Sequence, residues 1–389
     1  MPPLHYKHKP MYLFLMVLTI ASTAGLHVWR TLFDNFAVNS VFLDGSHVGI
    51  LQSVREIPGF LSLLVVYVLL IIKEHRLSAL SVIIFGIGIS ATGFFPSFYG
   101  LLMTTLLMSF GFHYFETTNQ SLTLQYFDKT TSPIVFGKLR SVAAASNIAA
   151  GIPMLILAPR MGYASMYLIC GVLVVAAGLW ALTGTPTEQD LPIQRKTMVL
   201  RKKYWLFYVL TFMAGARRQI FIAFAVFLLV KKFNYSVFEI ALLFLVNNVV
   251  NYFLSPLIGK CIVRFGERKV LSLEYFSLIL IFTAYAMVES RALAALLYIA
   301  DHIFFNFAIA IRTFFQKIAD PGDIAPSMAV GFTINHIAAV FLPALGGMLW
   351  LIDYRITFIT GALLSLISLI FVQMISGQLA KTAAAGESA

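Results

Sequence analysis

TGTPTEQDLPIQRKTMVLRKKY, from Thr183 to Tyr204, is the longest hydrophilic stretch of a 389-residue chain and falls at its midpoint. Pro186 and Pro192 break regular structure there, and Arg201-Lys202-Lys203 closes the stretch with a block of positive charge. On either side the sequence turns apolar and stays so. Over the whole chain 59% of residues are hydrophobic and 12% are charged, against about 25% charged in an ordinary soluble domain. Most of the surface therefore faces something other than water.

Working outward from the hydrophilic stretch, apolar segments of spanning length recur in both directions. The expected helices are 11–33, 47–72, 77–95, 98–126, 137–158 and 162–182 before it, and 205–230, 237–259, 270–288, 292–318, 328–350 and 355–377 after it. Each approaches the roughly 20 residues a bilayer crossing requires. Backbone exposed to lipid must satisfy its own hydrogen bonds, and alternating strand patterns are absent, so helices are the expected element. Pro58, Pro153, Pro256 and Pro343 inside these segments mark expected kinks or ends. The reading is an all-α membrane protein of twelve transmembrane helices in two pseudo-symmetric six-helix bundles. Residues 1–182 form the first, 183–204 a cytoplasmic linker, and 205–389 the second with a short cytoplasmic tail.

Positive charge sets the orientation. Of the 28 Lys and Arg, Arg160, Lys231, Lys232, Arg291 and Arg355 fall on one side. Arg30, Arg55, Arg217, Arg218 and Arg312 fall within spans, and the rest lie on the side of both termini. By the positive-inside rule both termini are cytoplasmic in a bacterial-type inner membrane. The same asymmetry accounts for the net charge of +11 without a nucleic-acid partner. Cys170 and Cys261 form no disulfide framework or paired metal motif.

The halves carry a faint repeat. Asn147-Ile148-Ala149-Ala150 matches His336-Ile337-Ala338-Ala339, Tyr163 matches Tyr354, and Gly171 matches Gly361. Two related halves joined by a linker are the plan of many secondary transporters, with the solute site near mid-membrane between repeats.

Between helices eight and nine the chain reads GKCIVRFGERKVL, Gly259 to Leu271. Gly259, Arg264, Gly266, Arg268 and Lys269 resemble the loop signature of the major facilitator superfamily, a gating loop, with Val263 where that family usually has Asp. Gly266 permits a tight reversal. Pro343-Ala344-Leu345-Gly346-Gly347 resembles the end of a motif that antiporters of the family place on helix five, where this chain has only Gly151-Ile152-Pro153. The resemblance implies alternating access and a central cavity lined by helices one, four, seven and ten.

Ionisable groups within a span cost a few kcal/mol on insertion scales and are functional candidates by default. Arg30 and Asp34 are one turn apart at the outer end of helix one. Arg55 and Glu56 are adjacent on helix two and point about 100° apart. His113, Glu116 and Gln120 share a face of helix four. Arg217 and Arg218 stand together in mid-helix seven, and guanidiniums match carboxylate and phosphate forks. Asn247 and Asn251 share a face of helix eight, where amides more often glue helices. Helix ten holds Asp301, His302, Asn306 and Arg312, and helix eleven Asn335 and His336.

The expected solute-binding set is Arg30, Arg55, Arg217, Arg218, Asn247, Asn251, Asn306, Arg312 and Asn335. The expected proton-coupling set is Glu56, His113, Glu116, Asp301, His302 and His336. The function these suggest is secondary active transport of a small organic solute, anionic or zwitterionic, coupled to protons, by a monomer without cofactor or metal. Divalent-metal or metal-chelate transport, through His113, Glu116, Asp301, His302 and His336, is the runner-up. A non-transporting receptor or a polytopic membrane enzyme is third, and the absence of HxxxxD, HExxH and GxSxG patterns argues against the enzyme. With no GxxxxGK[ST] loop, direct drive by ATP is not expected.

Overall fold

The computed structural model describes residues 9–43, 45–157, 160–187, 191–235 and 237–387. Among them the regular structure is helical throughout, in twelve long runs. The first six are α1 (Lys9–Asn39), α2 (Gly45–Phe60, continued by a 3-10 turn Leu61–Leu64 and by Val65–Val68), α3 (Glu74–Thr92), α4 (Phe98–Tyr126), α5 (Ser132–Leu157) and α6 (Tyr163–Thr183). After the linker come α7 (Trp205–Ile220, a π segment Phe221–Ala225, then Val226–Lys231), α8 (Val237–Phe265) and α9 (Glu267–Met287). α10 (Arg291–Phe305, a 3-10 turn Asn306–Ala308, then Ile309–Ile318), α11 (Ile324–Ile352) and α12 (Tyr354–Val372) complete the second six, and α13 (Ile375–Glu387) follows.

By length and composition, eight of the described helices qualify to cross a membrane. They draw on α1, α2, α3, α6, α8, α9, α10 and α12. α4 is diluted by its own polar stripe, which includes Thr104, Ser109, His113, Thr117, Asn119 and Gln120, all buried. Local chemistry sets several helix starts. Ser97 Oγ accepts from Gly100 N at 3.0 Å ahead of α4, and Asp353 Oδ1 from Arg355 N at 2.8 Å ahead of α12, as N-capping side chains do. Gly266, at φ +80°, makes the whole reversal between α8 and α9, as its place in the loop motif requires.

The chain divides into two compact units, one of Met1–Phe127, Val142–Val199 and Gly322–Thr333, the other of Asp128–Ser141, Leu200–Pro321 and Ile334–Ala389. In the first, α3 packs against α4 and α6. Gly86 and Gly171 let α3 and α6 meet backbone to backbone, since a Cβ on Gly86 would lie 2.8 Å from Gly171 O. In the second, α9 packs against α12. Its core is aromatic: Tyr285 stacks on Phe358 at 4.9 Å and Phe224 on Trp350 at 5.6 Å.

Several boundaries differ from the hydropathy reading. α1 runs on to Asn39 rather than 33, and α5 starts at Ser132 rather than 137. The tail forms α13. Pro58 is followed by the 3-10 turn at Leu61–Leu64, whereas Pro256 leaves α8 unbroken. α7 and α10 are interrupted where no proline signals it. The side chains of Asp34, Pro343 and Ala344 lie outside the described residues.

Candidate functional site

The second unit holds the richer chemistry. Gly215 on α7 lets Asn335 of α11 come close; a Cβ there would sit 2.9 Å from Asn335 Nδ2. Asn335 Nδ2 in turn donates to Thr211 O at 3.1 Å. Asn335, expected to bind solute, is thus part of the α7–α11 seam. The next turn carries Arg217 and Arg218, and adjacent helical residues diverge by about 100°. Arg217 turns inward, 2% exposed. Arg218 is exposed, its guanidinium 5.4 Å from the ring centre of Phe305. The π segment begins three residues later, and such insertions are frequent at functional sites.

On the side of Arg218, four residues from three helices join. Asn251 Nδ2 lies 2.7 Å from His302 Nε2. Asn306 Nδ2 donates to Asn251 Oδ1 at 2.5 Å and to His302 O at 2.8 Å, while Arg140 Nε donates to Asn306 Oδ1 at 2.9 Å. The 3-10 turn starts at Asn306, so the break in α10 coincides with this network. Arg140 and Arg218 both act electrostatically on His302. His302 lies about 17 Å along α10 and Arg218 about 20 Å along α7, at 1.5 Å per residue, which is mid-span for both. Arg140, the two amides and the imidazole, with Arg218 acting electrostatically on that imidazole, form a polar, net cationic site.

Arg217 faces the opposite way, into a dry cluster. Its Nη2 lies 3.8 Å from Glu274 Oε1, its guanidinium carbon 4.2 Å from the ring centre of Tyr275, and its Nη1 donates to Ser368 Oγ. Asp301 is 1% exposed and electrostatically coupled to both Arg217 and Glu274. The carboxylate directly beside Arg217 is Glu274 on α9. Asp301 and His302, read as one proton site, belong to two different clusters.

In the first unit, Arg55 and Glu56 pair with each other, Nη2 to Oε1 at 2.8 Å. His113 Nε2 lies 3.9 Å from Glu56 Oε2. Ser109 Oγ is 2.9 Å from His113 Nδ1 and donates to Arg55 O. Glu116, by contrast, is half-buried and joins no such pairing among the described residues.

Arg30 is exposed on α1. Asn247 is buried, and its amide atoms find no partner among the described residues. Arg312 lies over Phe136 at 5.6 Å, and His336 is half-buried on α11. Of the loop motif, Gly259 sits inside α8, close against Pro133 O of α5, while Arg264, Arg268 and Lys269 are exposed. Beside them Glu267, 2% exposed, pairs with Lys317 Nζ at 2.7 Å.

Sequence reasoning misses Glu274, Tyr275, Ser368, Ser109 and Arg140. Glu274 is detectable in principle, being a carboxyl inside an expected span. Arg140 is hidden because, near the start of expected helix five, it counts with the charges on the side of the termini rather than with those inside spans.

These features belong to a known class of membrane protein. The family model of the Major Facilitator Superfamily matches residues 11–343, and the chain belongs to that superfamily. It is a polytopic membrane transporter with the superfamily's twelve-helix, two-bundle fold, and not an enzyme. No curated protein matches it by sequence. Its fold is similar to that of a bacterial homologue of the iron transporter ferroportin in an outward-facing state, at 15% identity over 94% of this chain and 99% of that one, with a TM-score of 0.75. It is also similar to the transporter FucP in an outward conformation, at 14% identity over 95% and 99% of the chains, TM-score 0.72. The human organic anion transporter MFSD10 shares 10% identity over 96% and 100%, TM-score 0.74.

Proposed function

We propose that this protein moves a small anionic or zwitterionic organic solute across a bacterial-type inner membrane by alternating access, coupled to protons and with both termini in the cytoplasm. The two bundles, 1–182 and 205–389, joined by the 183–204 linker, act as the moving bodies. The observation that carries the reading is the hydrogen-bonded joining of Arg140, Asn306, Asn251 and His302, with Arg218 acting electrostatically on the same imidazole. Guanidiniums recognise carboxylate by paired, charge-assisted hydrogen bonds, and the neighbouring amides supply both donors and acceptors. A binding site with two cations at its rim disfavours a divalent metal ion.

A thermal-shift screen of the purified protein against monocarboxylates, amino acids, neutral sugars, organic amines and divalent cations tests this. A ligand at about 100 times its dissociation constant stabilises the folded state by about 2.7 kcal/mol. Carboxylate-bearing compounds should raise the melting temperature, and Arg218→Ala should abolish that rise. Stabilisation by divalent cations alone would transfer the case to metal transport.

A further inference from the structure

Arg217, Glu274 and Asp301 come from α7, α9 and α10, and are 2%, 0% and 1% exposed. The guanidinium is always charged. Two ionised carboxylates beside one cation would leave a net negative charge in dry surroundings, which costs several kcal/mol unless it is neutralised. Hydrogen bonding points the same way. Arg217 Nε, both oxygens of Glu274, Asp301 Oδ2 and the hydroxyl of Tyr285 are buried without a hydrogen-bond partner among the described residues. Buried polar atoms left in that state cost about 1–3 kcal/mol each. A proton on a carboxyl turns one acceptor into a donor, and an enclosed water commonly makes about three bonds to such groups.

We propose that Glu274 and Asp301 together hold one exchangeable proton, with Arg217 as the fixed counter-cation and enclosed water completing the hydrogen bonds. The titratable and charged groups facing this pair are Arg217 from α7 and Tyr275 and Tyr285 from α9. Tyr298 and His302 flank Asp301 on its own helix, and α12 contributes the hydroxyl of Ser368. Arg218 and Arg140 stand on the side of His302. The proton belongs to the pair, since two carboxyls sharing one cation titrate together. Its use as the coupling ion rests on the transport reading above; its existence does not. On that reading the proton site and the solute site are separate, back to back on α7 and α10, linked by the sequence neighbours Arg217-Arg218 and Asp301-His302.

The test is infrared difference spectroscopy on the full-length protein in lipid nanodiscs, stepped through pH. The wild type should show a protonated-carboxyl band at neutral pH, changed in Glu274→Gln and in Asp301→Asn and absent from the double variant. No such band in the wild type, or its survival undiminished in the double variant, overturns the proposal. If the double variant does not fold, wild-type protein with 13C-carboxyl Asp or Glu answers the same question: a band that shifts with neither label overturns it. A band with no flux of any screened solute removes the transport reading and leaves the site. Solute flux without the band leaves transport standing and removes this site.

Discussion

The two halves of this transporter share a scaffold and differ in what it buries. Counted from the first residue of each helix, Glu274 of α9 falls where Ser81 falls on α3, and Asp301 of α10 where Met108 falls on α4. Ser81 and Met108 are also buried. The same two positions are thus neutral in the first half and ionic in the second. A fold that packs well with neutral residues there has no structural need of charge. The ionic set is therefore the better candidate for function, since a buried ion pair is weak evidence for stability.

The sharpest way to break the comparison is to take the second half's cation away. Arg217→Ala leaves Glu274 and Asp301 without their counter-charge, and breaking such a pair costs about 3–5 kcal/mol. The thermal midpoint in detergent should fall further than it does for Gly86→Ala, Lys317→Gln or Asp320→Ala. The triple exchange Arg217→Ala, Glu274→Ser, Asp301→Met writes the first half's neutral residues at the two carboxyl positions and removes the cation with them. Replacing a whole buried ion cluster is often neutral or stabilising by about 1–4 kcal/mol, so this variant should melt close to the wild type. If the triple is as crippled as the single, the ions are structural and the comparison fails.

Glycine contacts give the next effect. α3 meets α6 at Gly86 and Gly171, where a new Cβ on Gly86 would press on Gly171 O and Val175 N, each 2.8 Å away. At the matching place α12 meets α9 through Gly361, where a Cβ would meet the Phe282 ring at 2.9–3.1 Å. Overpacking costs about 1–3 kcal/mol. Backbone cannot yield but a ring can tilt, so Gly86→Ala should sit at the upper end of that range and Gly361→Ala at the lower. Equal losses would show the second crossing to be as rigid as the first.

The architecture was legible in the sequence because lipid imposes one rule on every span, and apolar length follows from it. Tyr163 and Tyr354, paired as a repeat, are the first residues of α6 and α12. The sites were less legible. Arg217 and Arg218 are identical side chains one residue apart, and only the packing of α9 and α12 decides that the first is buried and the second exposed. Glu274 escapes a reading centred on the helices expected to line a cavity, because α9 lies outside that set. The π segment of α7 carries no proline or glycine, so nothing local announces it.

The N-terminal ends of α3 and α9 offer a milder contrast. Both helices open on a glutamate held by the far end of a neighbouring span. Gln125 Nε2 of α4 donates to Glu74 Oε2 at 2.7 Å, and Lys317 of α10 pairs with Glu267. Lys317→Gln gives the second half the first half's neutral amide. Lys317 is 28% exposed in its side chain, so screening limits the pair, and a loss of about 1 kcal/mol is expected, with the salt dependence of the melting temperature reduced. A loss as large as that of Arg217→Ala would mean that the loop pair, rather than the interior cluster, holds the second half together.

The loop aspartates give the smallest effect. Asp128 follows α4 and Asp320 follows α10, each two residues past the helix. Asp320 bridges Arg201 at 2.9 Å and Lys203 at 2.6 Å, all with side chains 31–44% exposed. Such exposed pairs contribute about 0–1 kcal/mol, so Asp320→Ala should scarcely move the melting temperature at moderate salt. Asp128 serves its own turn instead. Burial pushes its carboxyl up, but hydrogen bonds from the Thr130 hydroxyl, the backbone of Thr131 and Thr130, and the Thr131 hydroxyl outweigh it and hold the carboxyl below the usual 3.8. With the folded value depressed, its contribution is fully present above 3.8 and disappears as pH falls through the lower folded value. Asp128→Ala should therefore cost up to about 1 kcal/mol at neutral pH, and that cost should shrink in acid. Asp320→Ala has no hydrogen-bonded turn to lose, so an acid-dependent cost of the same size at Asp320 would show the two loops to be chemically equivalent after all.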